Sequence, residues 1–254
     1  MAPEGQSGTS LDKGHSLDHK SPTQSEIVYQ GLRREILECR LLPGAKIKTS
    51  YVCGTYGVSL GAAREALQRL TADGMATLEA QKGFAVAPIS WEEFEQLTET
   101  RAEIDASCLR KSIMHGDVEW ESRLVAALHR LTRLHDAGQG SGPQGPGPAW
   151  LEAHAEFHRA LVAACPNRCL LDLREMLYQR SERYRYWSVT LSLTLGKRNV
   201  REEHIQLAEL AQRRDADAAC VAITEHFLST SEALLAAARE AGEAAIPRWR
   251  ARKG

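Results

Sequence analysis

The chain has 254 residues, 43% hydrophobic and 26% charged, with a formal net charge of −1, a length that admits two domains with their own cores and a composition that excludes a collagen-like or low-complexity chain. No run of eighteen apolar residues occurs and residues 1–20 are polar, without the apolar segment of a secretory leader, so a cytoplasmic protein that does not enter the membrane is expected. The six cysteines form no CxxC pair, which speaks against a zinc ribbon or a dithiol redox centre, and the near-zero charge excludes a blanket polycation while leaving room for a local basic surface.

Residues 1–24 are rich in Ser, Gly, His and charge and poor in apolar side chains, and are expected to form a disordered tail. Residues 25–89 read as a first domain. Ser21 and Pro22 suit the N-cap and first position of a helix, along which Val28, Leu32, Ile36 and Cys39 form one apolar stripe. Pro43-Gly44 supplies a turn. Thr49 or Ser50 can cap a short helix that stops at Gly57, and Ser59 can cap a second helix that runs to Gly74. Two short apolar runs on either side of Gln81-Lys82-Gly83 then read as a β-hairpin. Helix, turn, helix and hairpin is a layout that can place a second helix in the major groove of DNA. Its electrostatics are modest, because only eight Lys or Arg stand against six Asp or Glu between residues 25 and 89.

From Ser90 to residue 241 the pattern is helical. "SWEE" is a capping box with Ser90 at N-cap and Glu93 at N3, and it opens a helix toward His115. Further helices are expected at 118–135, 150–165, 167–191, 197–213 and 217–241. The tract 136–149 is almost pure Gly, Pro, Ser and Gln and is expected to be a mobile loop. Residues 242–254 form a basic tail. The fold class expected is mostly α: an N-terminal winged helix-turn-helix with a small hairpin wing, followed by an all-α bundle of six to seven helices.

Four of the nine histidines occupy apolar stripes. His154 and His158 are spaced i, i+4 among Leu151, Leu161, Val162 and Cys165. His204 lies with Val200, Leu207, Ala208 and Ala211, and His226 with Ala219, Ala222, Ile223 and Thr230. A single inward histidine is ordinarily a satisfied core residue, but four, from three helices, match the way bundle cores assemble metal sites. All-nitrogen ligation suits a divalent transition metal, with zinc first and Ni, Fe or Cu admissible. An anionic ligand beside the metal needs a cation that can pair with a carboxylate. Arg101 is the first candidate, and Arg183 and Tyr184 of "SERYRYW" are the next.

The stretch "LRREILECRLLPGAKIKTSYVCGTYGVSLGAAREALQRLTADGMATLEAQKGFAVAPIS" resembles the winged helix of GntR-type bacterial transcription regulators, through its PG turn, GVS turn, REAL run, DG stop and KGF wing. The resemblance implies that Ser59, Leu60, Gly61, Ala62 and Arg64 lie in the groove or on phosphates. It places Ser50 at the start of the supporting helix and Lys82 with Gly83 at the wing tip, while Lys48 is a further phosphate contact. Most members carry Arg-Thr-Pro where this chain has Leu60-Gly61-Ala62, so base readout through that Arg is lost. "RAEID" at 101–105, "FHRALVAACPN" at 157–167, "REEH" at 201–204 and "RDADAACVAITEH" at 214–226 resemble the helical FadR C-terminal (FCD) domain. There an Asp and three histidines hold a metal beside a small carboxylate effector, and here His154 stands in place of the Asp. The resemblance implies a homodimeric regulator of a palindromic double-stranded operator, a repressor by family habit, whose DNA affinity responds to a small organic acid. The competing reading is an enzyme whose histidine-bound metal activates water. No HExxH supports it, although Glu203 adjoins His204.

Overall fold

The computed structural model describes residues 21–38, 40–140, 147–190 and 199–241. The first helix, α1 (Gln24–Leu37), is capped by Thr23, whose side-chain oxygen accepts from the Glu26 amide at 3.2 Å. Ser21 and Pro22 precede the helix instead of starting it. Thr23 wins because its hydroxyl also meets Ser25, which in turn donates to Glu65 on the third helix. Val28, Leu32 and Ile36 are buried as expected; Cys39 and residues 1–20 lie outside the described residues.

A two-residue strand, β1 (Lys46–Ile47), follows the Pro43-Gly44 turn, and then α2 (Thr49–Tyr56) and α3 (Leu60–Ala72). The N-cap of α2 is Lys48, without a side-chain cap, rather than Thr49 or Ser50. Gly57 ends α2 with φ 64°, a left-handed C-cap that a Cβ would strain. Ser59 caps α3 through the Ala62 amide at 3.2 Å. The hairpin β2 (Ala76–Glu79) and β3 (Gly83–Val86) pairs Ala76 with Val86 and Glu79 with Gly83, turning through Gln81 at φ 64°. β1 adds to its outer edge, giving an antiparallel sheet of order β1-β3-β2. The wing is therefore three-stranded, one strand more than the hairpin expected. The core of this domain joins Val28, Leu32, Leu67, Leu70 and Met75.

The remaining described helices are α4 (Trp91–His115), α5 (Val118–Leu134), α6 (Pro148–Val162), α7 (Arg168–Thr190), α8 (Val200–Gln212) and α9 (Ala216–Ala241). Ser90, Asp117, Asn167 and Asn199 each accept from an amide in the first turn of the helix that follows. α5 does not give way at once to a loop: His135–Gln139 continues it as a π-helical turn, kinked at Gly138 with φ 76°. α6 starts at Pro148, two residues before the expected position, with proline in its favoured first-turn place. The glycine-rich tract is thus structured at both ends, and residues 141–146, like 242–254, lie outside the described residues. α4 packs along α9, α6 lies against α4 and α5, α8 against α9 and α5, and α7 against α4. Trp120, Leu124, Phe157, Leu161, Leu207 and Ile223 fill the centre, and the Trp120 indole donates to the Ala160 carbonyl at 2.8 Å. A smaller cluster of Phe94, Leu97, Leu177, Tyr184, Leu234 and Leu235 sits near the start of α4. Among the described residues no helix is long and apolar enough to cross a membrane.

Candidate functional site

The i, i+4 spacing on α6 places His154 and His158 side by side, with ring centroids 4.6 Å apart. α8 brings His204 within 5.0 Å of His154 and 5.4 Å of His158, and α9 brings His226 within 4.9 Å of His204. All four are buried, and each offers a ring nitrogen such that the four atoms lie within 4.8 Å of one another. Trp150 stacks on His154 at 4.9 Å and Phe157 and Phe227 close the sides. His158 is 1% exposed, and neither of its nitrogens has a hydrogen-bond partner. Burial first, and then the neighbouring imidazoles and Arg101, hold its pKa well below the ordinary 6.5. Burial thus favours its neutral form.

Glu203 accepts from His226 Nδ1 at 2.8 Å. Carboxylates behind metal-binding histidines hold the ring in this way and turn its other nitrogen toward the metal. The four ring nitrogens could hold a divalent transition ion, a use that the unpartnered nitrogens of His158 fit.

Arg101 lies beside this cluster. Its guanidinium packs over the Phe227 ring at 4.4 Å and the Tyr178 ring at 5.2 Å, and donates to Ser181 Oγ at 3.0 Å. Behind it, Asp105 is fully buried; it accepts from Arg174 Nε at 2.6 Å and faces Arg101 Nε at 3.5 Å. Two guanidinium groups thus meet one carboxylate, and Glu175 lies 3.9 Å from Arg174 Nη1. Arg183 and Tyr184 are not brought to the histidines. Both bond to Glu93 Oε2, each at 2.9 Å, near the start of α4, about 12 Å along that helix from Arg101 at 1.5 Å per residue. The second half of the "SWEE" box is thereby diverted: Glu93 serves α7 instead of its own N-cap.

Asp105 and Arg174 were not singled out in the sequence, because a charge inside "RAEID" and another inside "LREML" look like solvated helix faces. Nor was the contact between domains, in which Arg33 of α1 pairs with Glu182 of α7 and donates to Gln179 at 2.6 Å. Glu182 also accepts from Tyr178 Oη at 3.2 Å, so Tyr178 touches Arg101 on one side and the interdomain pair on the other.

On the first domain, Lys48, Ser50, Ser59, Leu60, Gly61, Arg64, Lys82 and Gly83 are exposed and Ala62 is half-buried. The Lys48 and Arg64 side chains carry no hydrogen bond or ion pair among the described residues, whereas Lys82 pairs with Glu79 at 2.7 Å. The cap on Ser59 leaves the first turn of α3 facing solvent.

A winged helix joined to a helical bundle with a histidine-lined core defines a class of transcription regulators. Residues 24–86 match the bacterial regulatory proteins of the gntR family, and residues 96–229 match the FCD domain. The chain belongs to the GntR family, FCD branch, and is a DNA-binding transcription regulator of that type. It is 35% identical to an uncharacterised HTH-type regulator, BphR, of Paraburkholderia xenovorans, over 81% of this chain and 82% of that one. It is 30% identical to the HTH-type transcriptional repressor GlaR of Escherichia coli K12, over 79% and 91%. Its fold is similar to that of E. coli McbR/YncC, with a TM-score of 0.69 at 16% identity over 84% and 98% of the two chains. The family and these relatives are regulators, so the enzyme reading is set aside.

Proposed function

We propose that the protein is a homodimeric repressor whose histidine cluster holds a divalent metal and, with Arg101, binds a small carboxylate that alters its affinity for a palindromic operator. The observation that carries this reading is the fully buried, doubly unpartnered imidazole of His158 among three other inward histidines. Leaving a buried donor and acceptor unmet costs about 1–3 kcal/mol each, and a metal bound at one ring nitrogen removes the acceptor's share of that cost. When bound, the metal supplies a Lewis-acid position for a carboxylate oxygen. Burial favours the neutral form of His158, Arg101 and Arg174 meet Asp105, and Glu203 stands at His226. Arg101 is the cation placed beside the cluster to orient a metal-bound carboxylate.

A ligand that draws on Arg101 also acts on Tyr178, hence on Glu182 and on Arg33 of the DNA-binding domain. This gives the pocket a differential effect on the two domain arrangements, which any effector needs. Repression follows the name of GlaR, and the dimer and its two-fold operator follow from the way helix-turn-helix proteins read half-sites. The test is metal analysis together with DNA binding. Wild-type protein is expected to hold about one zinc-class ion per chain, His158→Ala to lose most of it, and one or more small carboxylic acids to change operator affinity only in the metal-loaded protein. Full metal occupancy in His158→Ala would refute the site.

A further inference from the structure

The outward face of α3 divides in two. Glu65 and Arg69 turn toward α1: Glu65 accepts from Ser25 Oγ at 2.9 Å, and Arg69 pairs with Glu26 at 2.6 Å and lies over the Tyr29 ring. Leu60, Arg64 and Gln68, spaced i, i+4 and i+8, share the other edge. All three are exposed, and the Arg64 and Gln68 side chains carry no hydrogen bond or ion pair among the described residues.

Leu60 is 53% exposed at the first position of the helix, with an intact Ser59 cap behind it. No acidic residue stands in that turn. Gly61 beside it is open, since an added Cβ would meet only Ser59 Oγ, at 3.9 Å. The leading end of α3 is thus an apolar knob on a bare, low-relief turn, with hydrogen-bonding side chains starting one turn later. The apolar group that base pairs display in the major groove is the 5-methyl of thymine.

We propose that Leu60 is a specificity-determining residue that reads the 5-methyl group of a thymine in each operator half-site, while Arg64 and Gln68 meet hydrogen-bonding edges further along. This rests on the placement of α3 in the major groove. Burying one methyl is worth about 0.8 kcal/mol, or about fourfold in affinity.

The experiment enriches duplexes from a random library with the full chain, then replaces each thymine of the selected site by uracil, which removes the methyl and keeps both hydrogen-bonding edges. Dissociation constants are measured for wild type, Leu60→Ala and Arg64→Ala. We expect one thymine per half-site where uracil weakens wild type about fourfold and leaves Leu60→Ala unchanged. Equal uracil costs in wild type and Leu60→Ala, or a selected site without thymine, overturn the assignment. Arg64→Ala separates the two levels. If it weakens binding while uracil costs stay equal, only the role of Leu60 falls; if affinity and preference are untouched by Arg64→Ala, the groove placement falls with it.

Discussion

Replacing His158 by leucine inverts the order of stability with and without metal. The neutral imidazole offers one donor and one acceptor, both buried and both without a hydrogen-bond partner. Unmet buried groups cost about 1–3 kcal/mol each, and a leucine of similar volume removes both while costing less than about 1.5 kcal/mol in fit. The metal-free variant should therefore be about 2 kcal/mol more stable than metal-free wild type, or about 4–8 °C in melting temperature for a chain of this size. With zinc at a thousandfold excess over its dissociation constant, wild type gains about 4 kcal/mol by mass action, about 8–16 °C, and the variant gains much less. Circular-dichroism melts of chelator-dialysed protein, with and without zinc, read both differences. If His158→Leu melts below wild type in the absence of metal, the nitrogens are served within the protein; if zinc raises both proteins equally, His158 is no ligand. Either result refutes the argument.

Asp105→Asn leaves Arg174 and Arg101 buried without their carboxylate, and breaking such a pair costs about 3–5 kcal/mol; a melting temperature lowered by about 6–20 °C is expected, against little change for the exposed Glu99→Gln. Glu203→Gln, which weakens the partner of His226 Nδ1, should lower metal affinity about 10–100-fold in a competition with a chromophoric chelator, with the helical spectrum unchanged. Glu182→Gln, which weakens the link to Arg33, should keep effector-free DNA affinity within a few-fold and shrink the change that the acid produces; an undiminished response would remove Tyr178 and Glu182 from the coupling. In metal-free protein, burial holds His158 neutral below its ordinary pKa of 6.5, where the unfolded chain takes up a proton and the folded one does not. Stability should then fall as pH drops from 7 toward 5.5, by up to about 1.4 kcal/mol per pH unit for this group, and urea titrations of His158→Leu should show a shallower slope.

The elements that carry their own boundary chemistry were legible in the sequence. Ser59 and Ser90 cap the helices they were expected to cap, and Gly57 and Gly74 stop theirs with positive φ. The convergence of the four imidazoles was legible for a related reason: a polar ring inside an apolar stripe has a fixed direction, so four of them share one interior. What escaped depends on distant partners. β1 is two residues long and exists only through pairing with β3. Thr23 outcompeted Ser21 through a contact that reaches α3. Asp105 meets Arg174 across 69 positions and Arg33 meets Glu182 across 149, and nothing local distinguishes such charges from solvated ones. Arg183 and Tyr184 illustrate the converse, for their proximity to "SWEE" is set by how α7 lies on α4, and that directs them to Glu93.

The bond from Arg183 and Tyr184 to Glu93 also anchors the segment that joins the two domains. Ala87 is pinned to the wing through the Met75 carbonyl at 2.9 Å, Ile89 packs on the cluster around Phe94 and Tyr184, and Glu93 is clasped by α7. Between the first two of these anchors Pro88 stands exposed, its φ held near −65° by its ring. The elbow is thereby stiffened: one of its backbone angles is locked by a ring, and the Arg33–Glu182 pair ties the two domains a second time.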